Sequence, residues 1–396
     1  MSEARQVVIL SGVRTAIGDY GGSLKDIPPS ELAAKCVREA VSRAKVDPKE
    51  ISQCVFGNVI HTEAKDMYLS RVAALKGGLA PESGALTLNR LCGSGLQAIV
   101  TATQYILLGD IETAVAGGAE SMSRAAYANV TQRWGARMGD AKDIDMMVGA
   151  LTDPFDTIHM GVTAENVATQ CGITRKDQDE FAVESHRRAA NAIAKGYFKD
   201  QILGIELKSK KGPITFDTDE HVRSDASVEG MAKLKAVFAK ENGTVTAGNA
   251  SGINDAAAAV VLMEKSVAAK KGLKPMARLV SYGHAGIDPK IMGLGPVSAV
   301  KSALAKAGLK LEQMDVIESN EAFAAQAIGV CRELSMNEEK LNPNGGAVAL
   351  GHPIGATGCI LTVKAMYELA RTGGRYGLIT MCIGGGQGIA AVIERI

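Results

Sequence analysis

Cys92 stands in the run N-R-L-C-G-S-G-L-Q-A, Asn89 to Ala98, with Gly93, Ser94 and Gly95 directly behind it. Small residues let a backbone crowd close to a bound group. The spacing of Leu96, Ile99, Val100, Ile106 and Leu107 is that of an apolar helix face. A cysteine at such a helix start meets unpaired N–H groups and the positive end of the helix dipole, which favour thiolate over thiol. The expected chemistry is nucleophilic attack. His352 has a similar setting, G-G-A-V-A-L-G-H-P-I-G-A-T-G, with Pro353 suited to a first helical position. Facing a cysteine, it would serve as the base. Free cysteines are more often buried structural groups, and lone histidines are more often surface or satisfied core groups; the glycine collars weigh against both readings. In M-C-I-G-G-G-Q-G, Cys382 ends a strand-like run, and the N–H groups of Gly384 to Gly386 could hold an oxyanion or a phosphate. In S-N-E-A-F-A, Asn320 follows the strand-like Val316–Glu318 and places an amide at a site edge.

These residues need elements to carry them. Short apolar runs alternate with helical patterns: Val7–Leu10, then a helix over Glu31–Ala44, then Gln53–Ile60, then helices near Leu69–Leu75 and Leu96–Leu107, then Thr113–Ala116. That alternation predicts an α/β layered fold. From Ser121 to about Asn242 the texture becomes polar and loop-rich, with a Lys-rich stretch (Lys208, Lys210, Lys211) and helices at Ala164–Gln170 and Gln178–Gly196, the latter announced by Thr174 and Asp177. Such an insertion is expected to cover a substrate. After Gly272 the first series is echoed: Ala277–Tyr282 for the opening strand, Val297–Ala307 for the first helix, Val316–Glu318 for Val55 and Phe56, and Leu378–Cys382 for the strand at Val115. The echo suggests two duplicated α/β halves, with Cys92 and His352 at matching helix starts. The expected division is residues 1–121 plus 243–272, an inserted 122–242, and 273–396.

The 396 residues are 46% hydrophobic and 22% charged, which is ordinary globular composition, and 44 Lys and Arg against 43 Asp and Glu leave a net charge of +1. That balance gives no reason to expect nucleic acid or an anionic membrane as a partner. Seven cysteines without a CxxC pair argue against a disulfide framework and a metal site. No signal-peptide order precedes Val7, and no apolar run is read as reaching the ~18 residues a membrane span needs. A cytoplasmic location is expected.

The four motifs, in this order and at these separations, resemble the thiolase family over essentially the whole chain. V-R-T-A-I-G at Val13–Gly18, G-G-A-E-S-M-S at Gly117–Ser123 and H-M-G-V-T-A-E-N-V-A from His159 resemble it as well. The resemblance implies the thiolase fold: two duplicated halves in a layered αβαβα core with an inserted loop domain. It is nearest to bacterial β-ketothiolases, which implies reversible condensation of acetyl-CoA with an acyl-CoA to a short 3-ketoacyl-CoA and free CoA. No cofactor is implied beyond the coenzyme A thioesters. By the same resemblance Cys92 is the acylated nucleophile, His352 its base, and Cys382 the acid/base at the substrate Cα. Asn320, through a water, and His352 form one oxyanion hole; the N–H groups of Cys92 and Gly384 form the other. Coenzyme A is expected at Leu151, His159, Met160, Arg223, Phe238, Ala247, Gly248, Ser251, Ala322 and Phe323. Ala256 and Gly230 depart from the glycine and serine that many members carry there. A homo-oligomer is implied, a tetramer built as a dimer of dimers.

Other readings are a thiolase for longer 3-ketoacyl-CoA, a β-ketoacyl-synthase-like condensing enzyme, and a non-catalytic CoA or lipid carrier on the same scaffold. The second would carry histidine at Cys382, and the third is hard to square with all four reactive residues being present. A dinucleotide-dependent oxidoreductase is disfavoured, since no G-x-G-x-x-G follows the first strand.

Overall fold

The computed structural model describes residues 5–210 and 212–396; the first four residues and Lys211 of the Lys-rich stretch lie outside the described residues. Nine strands carry the fold: β1 Val7–Thr15, β2 Gln53–Gly57, β3 Gly84–Leu88, β4 Thr113–Ser121, β5 Asn254–Glu264, β6 Ala277–Gly286, β7 Val316–Ser319, β8 Tyr376–Ile383 and β9 Gln387–Arg395. They form one continuous sheet in the order β7-β8-β9-β6-β1-β5-β4-β2-β3, with short strands Gly18–Asp19 and Ile202–Leu203 paired to it. The helices that matter here are α1 Pro29–Ala44, α2 Ser94–Leu108, α3 Met160–Gln170, α4 Arg175–Ala194, α5 Gly295–Ala307, α6 Ala324–Leu334 and α7 Ile354–Thr372.

Read outward from the antiparallel β1–β6 pair, the two halves match: β1 with β6, β5 with β9, β4 with β8, β2 with β7. β2 and β4 are parallel, and so are β7 and β8. Each innermost strand carries a register shift, at Ile9/Ser11 in β1 and Leu279/Ser281 in β6. Each shift aims a serine at the helix outside it: Ser11 Oγ donates to Ala40 O of α1 at 2.6 Å, and Ser281 Oγ to Ala303 O of α5 at 2.7 Å. The echo in the sequence is therefore a structural pseudo-two-fold. β3 has no strand as counterpart; Leu341 bridges to Ile317 in its place.

The layers follow from side-chain alternation. On β5, Ala256, Ala258, Val260 and Leu262 face a core shared with Leu96, Ile99, Cys359 and Val363, whereas Ala257, Ala259, Val261 and Met263 face α1 through Leu32, Val37 and Ala40. On β9, Ile389, Ala391 and Ile393 join the first core, and Ala390 and Val392 meet Ala299, Val300 and Ala303 of α5. Both inner faces thus share one core around α2 and α7, which gives α1, sheet, central helices, sheet, α5. Burial on both faces explains why β5 reads as a run of small apolar residues without alternation.

The central helix corrects one expectation. Leu91–Leu108 is 18 residues long with a mean hydropathy of 1.3, enough by length and composition to cross a membrane. In this fold it packs between the halves. The chain leaves the sheet after β4 and returns at β5. Between them lie α3 and α4, and α4 begins at the expected Thr174 cap, whose side chain and that of Asp177 bond reciprocally to each other's backbone N–H.

Candidate active site

The starts of α2 and α7 meet at the pseudo-two-fold. A methyl group at Gly358 would overlap the backbone nitrogen of Leu96, and one at Gly95 would lie 2.9 Å from Cys359 N. The collar glycines near Cys92 and His352 therefore serve the close approach of the two halves, not room for a bound group as the sequence suggests.

Cys92 lies two residues before α2, in a turn where Leu91 takes φ +46°. Ser94 Oγ fastens the turn, accepting from Arg90 N at 2.8 Å and donating to Leu91 O at 2.7 Å. The sulfur meets the backbone N–H groups of Cys92 itself and of Gly384. Around it stand Val59, Ile60, Met122, Leu151 and Ile354. Those dry walls, with a smaller contribution from the charge of Glu120, push the thiol up to about 11 despite the two N–H groups. The expected resting thiolate is thus corrected: burial outweighs the helix start, and Cys92 needs a base.

His352 is the residue expected to supply one. Its backbone N–H donates to Asn254 Oδ1 at 3.0 Å, and Nδ1 lies 2.7 Å from Thr357 Oγ1. The Thr357 hydroxyl donates its one hydrogen to Pro353 O at 3.0 Å, so it accepts from Nδ1–H. This assigns the tautomer from the bonding pattern: Nε2 carries the lone pair and faces Asn320 Nδ2 at 3.4 Å. Burial lowers the imidazole to about 4, so it is neutral at pH 7, with the Nε2 lone pair open to a proton. Pro353 is the cap before α7, not its first helical residue.

Asn320 directly follows β7, held through its N–H to Thr380 O at 2.9 Å; its Oδ1 is buried with no hydrogen-bond partner among the described residues. Glu321 beside it accepts from Ser185 Oγ at 2.7 Å, Asn342 Nδ2 at 2.7 Å and Val348 N at 3.1 Å, which ties α4 and the segment leading to His352 to this corner. Cys382, buried near the end of β8, has its thiol raised by desolvation and by Cys92, so the two sulfurs lie within electrostatic reach of each other. Cys92, Gly384 and Cys382 thus form one set and His352 with Asn320 another, and the helix starts at Cys92 and His352 pack against each other.

The expected CoA residues divide into two groups. Met160, Ala322 and Phe323 pack with Cys382, flanked by Phe238. His159 stacks on Phe238 at 4.7 Å, and Phe238 meets Phe323 edge-on at 6.3 Å. His159 Nδ1 caps α3 by accepting from Gly161 N at 3.0 Å, and Met160 N donates to Leu151 O at 2.8 Å. Ser251 joins the group through its N–H to Ala322 O at 3.0 Å. The second group, Arg223, Ala247 and Gly248, lines a cavity of about 360 Å³ with His186, His221 and Gly230. Ala256 lies in β5 opposite Glu120, inside the core rather than on either group. Thr357, Asn254, Glu120 and His186 escape the sequence reading. Thr357 lies in the first turn of α7, five residues after His352, a separation that gives no helical-face signal in the sequence.

Residues 7–266 match the family model described as thiolase, N-terminal domain, and residues 273–395 that of thiolase, C-terminal domain. The chain belongs to the thiolase family. This thiolase is 65% identical to the beta-ketothiolase BktB of Cupriavidus necator over 99% of its own length and 100% of that protein's. Among solved structures, it matches the Bacillus anthracis acetyl-CoA acetyltransferase with a TM-score of 0.97 and 45% identity, all of both chains covered. It matches a human mitochondrial 3-ketoacyl-CoA thiolase in complex with CoA with a TM-score of 0.96 and 43% identity, over 99% of this chain and 98% of that one.

Proposed function

We propose that this thiolase is a short-chain β-ketothiolase, an acetyl-CoA C-acyltransferase that works through an acyl group on Cys92. The observation that carries the reading is a neutral His352, its Nε2 lone pair facing Asn320, on a helix start packed against that of Cys92, whose thiol and that of Cys382 are kept protonated by desolvation. Cys92 passes its proton to His352 Nε2 and attacks the thioester carbonyl, whose oxygen the N–H groups of Cys92 and Gly384 receive. The C–S bond to CoA breaks, and the leaving thiolate takes the proton of Cys382. Cys382, now a thiolate, removes a Cα proton from a second acetyl-CoA while protonated His352 and Asn320 hold the enolate oxygen. The enolate carbon bonds to the acyl carbon, the bond to Cys92 breaks, and Cys92 recovers its proton from His352. The Cys92 proton returns by way of His352, the Cys382 proton leaves on CoA and is replaced by the Cα proton, and the products are a 3-ketoacyl-CoA and CoA. Run backward, the same steps cleave a 3-ketoacyl-CoA.

No metal or further cofactor enters this scheme. The names of the bacterial relatives support short substrates, and the BktB likeness supports a role in supplying polyhydroxyalkanoate precursors. The CoA arm is assigned to the His159–Phe238–Phe323 group, and its nucleotide end to the cavity at Arg223. We further propose a cytoplasmic homotetramer, a dimer of dimers: Tyr127, Val130, Trp134 and Met138 stand out on one surface loop, Trp134 88% and Met138 97% exposed, which suits burial against a second copy. Incubation with acetyl-CoA followed by peptide mass spectrometry should find acetyl on Cys92; acetyl on Cys382 with Cys92 free would reverse the roles. Thiolysis across 3-ketoacyl-CoA substrates of increasing length is expected to fall off beyond short chains, and sedimentation should give a tetramer, not the 41.3 kDa monomer.

A further inference from the structure

Glu120 is fully buried near the end of β4, and among the described residues no arginine or lysine pairs with it. Its Oε1 accepts from Asn58 Nδ2 at 3.1 Å and Ile60 N at 3.0 Å, and its Oε2 from Val59 N at 3.1 Å and Gly355 N at 2.9 Å. The first three donors belong to the half that carries Cys92. The fourth lies in the first turn of α7, three residues after His352. A methyl group at Gly355 would overlap Oε2, so this helix start is shaped around the carboxylate. Val59, Ile60 and Ile354, whose backbone this clamp fixes, are among the side chains packed around Cys92.

We propose that Glu120 is a positioning residue for acyl transfer: bound by N–H groups of both halves, its carboxylate holds the His352 helix start against the segment beneath Cys92 and so fixes nucleophile and base relative to each other. This rests on the reading of Cys92 and His352 given above. Four donors fill the four lone-pair positions of an ionised carboxylate, so an acid or an amide at this place leaves at least one N–H unmet. Burial moves the carboxyl up to about 8, with Asp66 adding to the rise and the backbone N–H groups opposing it, so the four-bond clamp is complete above that pH and gives up one bond to the protonated form below it. Four donors from both halves converging on one buried carboxyl point to a specific geometry.

The test is Glu120→Gln, nearly isosteric. Single-turnover acetylation should slow by about tenfold or more, as misplacement of reacting groups does, with the KM for acetyl-CoA within about twofold of wild type. The charge of Glu120 also reaches Cys92, the other titratable groups there being His352 and Cys382, so the pH midpoint for iodoacetamide alkylation of Cys92 should move down. Alkylation needs no CoA substrate and judges the proposal even if wild type fails to acetylate Cys92, a failure that would count against the proposed function instead. Unchanged acetylation, or equal losses in binding and rate with no alkylation shift, would overturn the role. If Glu120→Gln does not fold, Asn58→Ala removes one donor from the same carboxylate. It should then slow acetylation by about threefold at unchanged KM, and an unaltered rate there overturns the proposal equally.

Discussion

The two halves of this thiolase put comparable residues at comparable ends of matching elements. Asn58 directly follows β2, and Asn320 directly follows β7. Cys92 and His352 each stand two residues before a central helix, and Glu120 and Cys382 are each the penultimate residue of a strand, β4 and β8. In the first half the polar groups are spent on structure: Asn58 Nδ2 donates to Ala119 O and Glu120, and the carboxylate of Glu120 is saturated. The Oδ1 of Asn58 and that of Asn320 are alike buried without a partner among the described residues. The difference in the second half lies in His352, whose Nε2 faces Asn320 Nδ2 and has no carboxylate beside it, among the described residues, to match Glu120 at Asn58. One scaffold thus gives a clamp on one side and a reactive set on the other. Cys92 crosses the divide, since its sulfur meets the N–H of Gly384 from the second half.

The largest expected effect strikes the reactive side alone. Cys382→Ser should lower condensation by about 10²- to 10⁴-fold, because a hydroxyl is a far poorer proton acceptor than a thiolate near neutral pH. Acetylation of Cys92 should survive in part, measured in a single turnover with acetyl-CoA. A mutant that condenses near the wild-type rate would remove Cys382 from the proton path and erase the contrast between the halves.

Next is the tautomer of His352. Thr357→Val keeps the shape and deletes the acceptor for Nδ1–H, so the ring is free to turn Nε2–H toward Cys92. We expect kcat to fall roughly 10- to 100-fold with little change in KM, while Thr357→Ser, which keeps the hydroxyl, restores most of it. Equal rates for valine and serine would place the threonine in packing only.

Much of this was legible in the sequence, and the failures share a cause. Cys92, His352 and Cys382 stand in or beside glycine-rich turns and Asn320 directly after a strand-like run, local signals all, and the echo of the halves survives because strand and helix spacing is local too. What the sequence could not show is what each turn meets across the interface. The glycines at 95 and 358 read as room for a ligand and turn out to be filled by the opposite helix. The thiolate expectation for Cys92 failed for a similar reason: a helix start is visible in a sequence, but the dry walls of Val59, Met122 and Ile354 come from three separate segments. Glu120 and Asn254 look like ordinary strand-end polar residues until Gly355 and His352 are seen bonding to them.

His352 also separates the halves by pH. Its imidazole titrates at about 4 in the fold and near 6.5 when unfolded, so the unfolded chain takes up the proton first. The stability from keeping it neutral is complete above about 6.5 and is lost as the pH falls toward 4, a change on the order of 3 kcal/mol. Denaturant titrations of wild type and His352→Asn should diverge over that window, wild type losing more. The acid limb of kcat/KM should lie well below pH 6.5. Parallel stability curves would mean that the histidine is hydrated in the folded protein.

The smallest effect is expected outside both sets of turns, where Arg223 lines the cavity with His186 and His221. Arg223 N donates to His186 Nδ1 at 3.1 Å, so its backbone is fixed to α4 while the guanidinium is free to meet a nucleotide. Contacts of this kind bind substrate and transition state alike, so Arg223→Ala should raise the KM for acetyl-CoA by about three- to tenfold at nearly constant kcat. Because the His186 bond uses the backbone, the alanine variant keeps it, and the loss reports on the side chain alone. An unchanged KM would take Arg223 out of the CoA site. A fall in kcat would mean that the inserted segment positions the reacting groups as well as the arm, and the division between clamp and reactive set would then extend beyond the two halves.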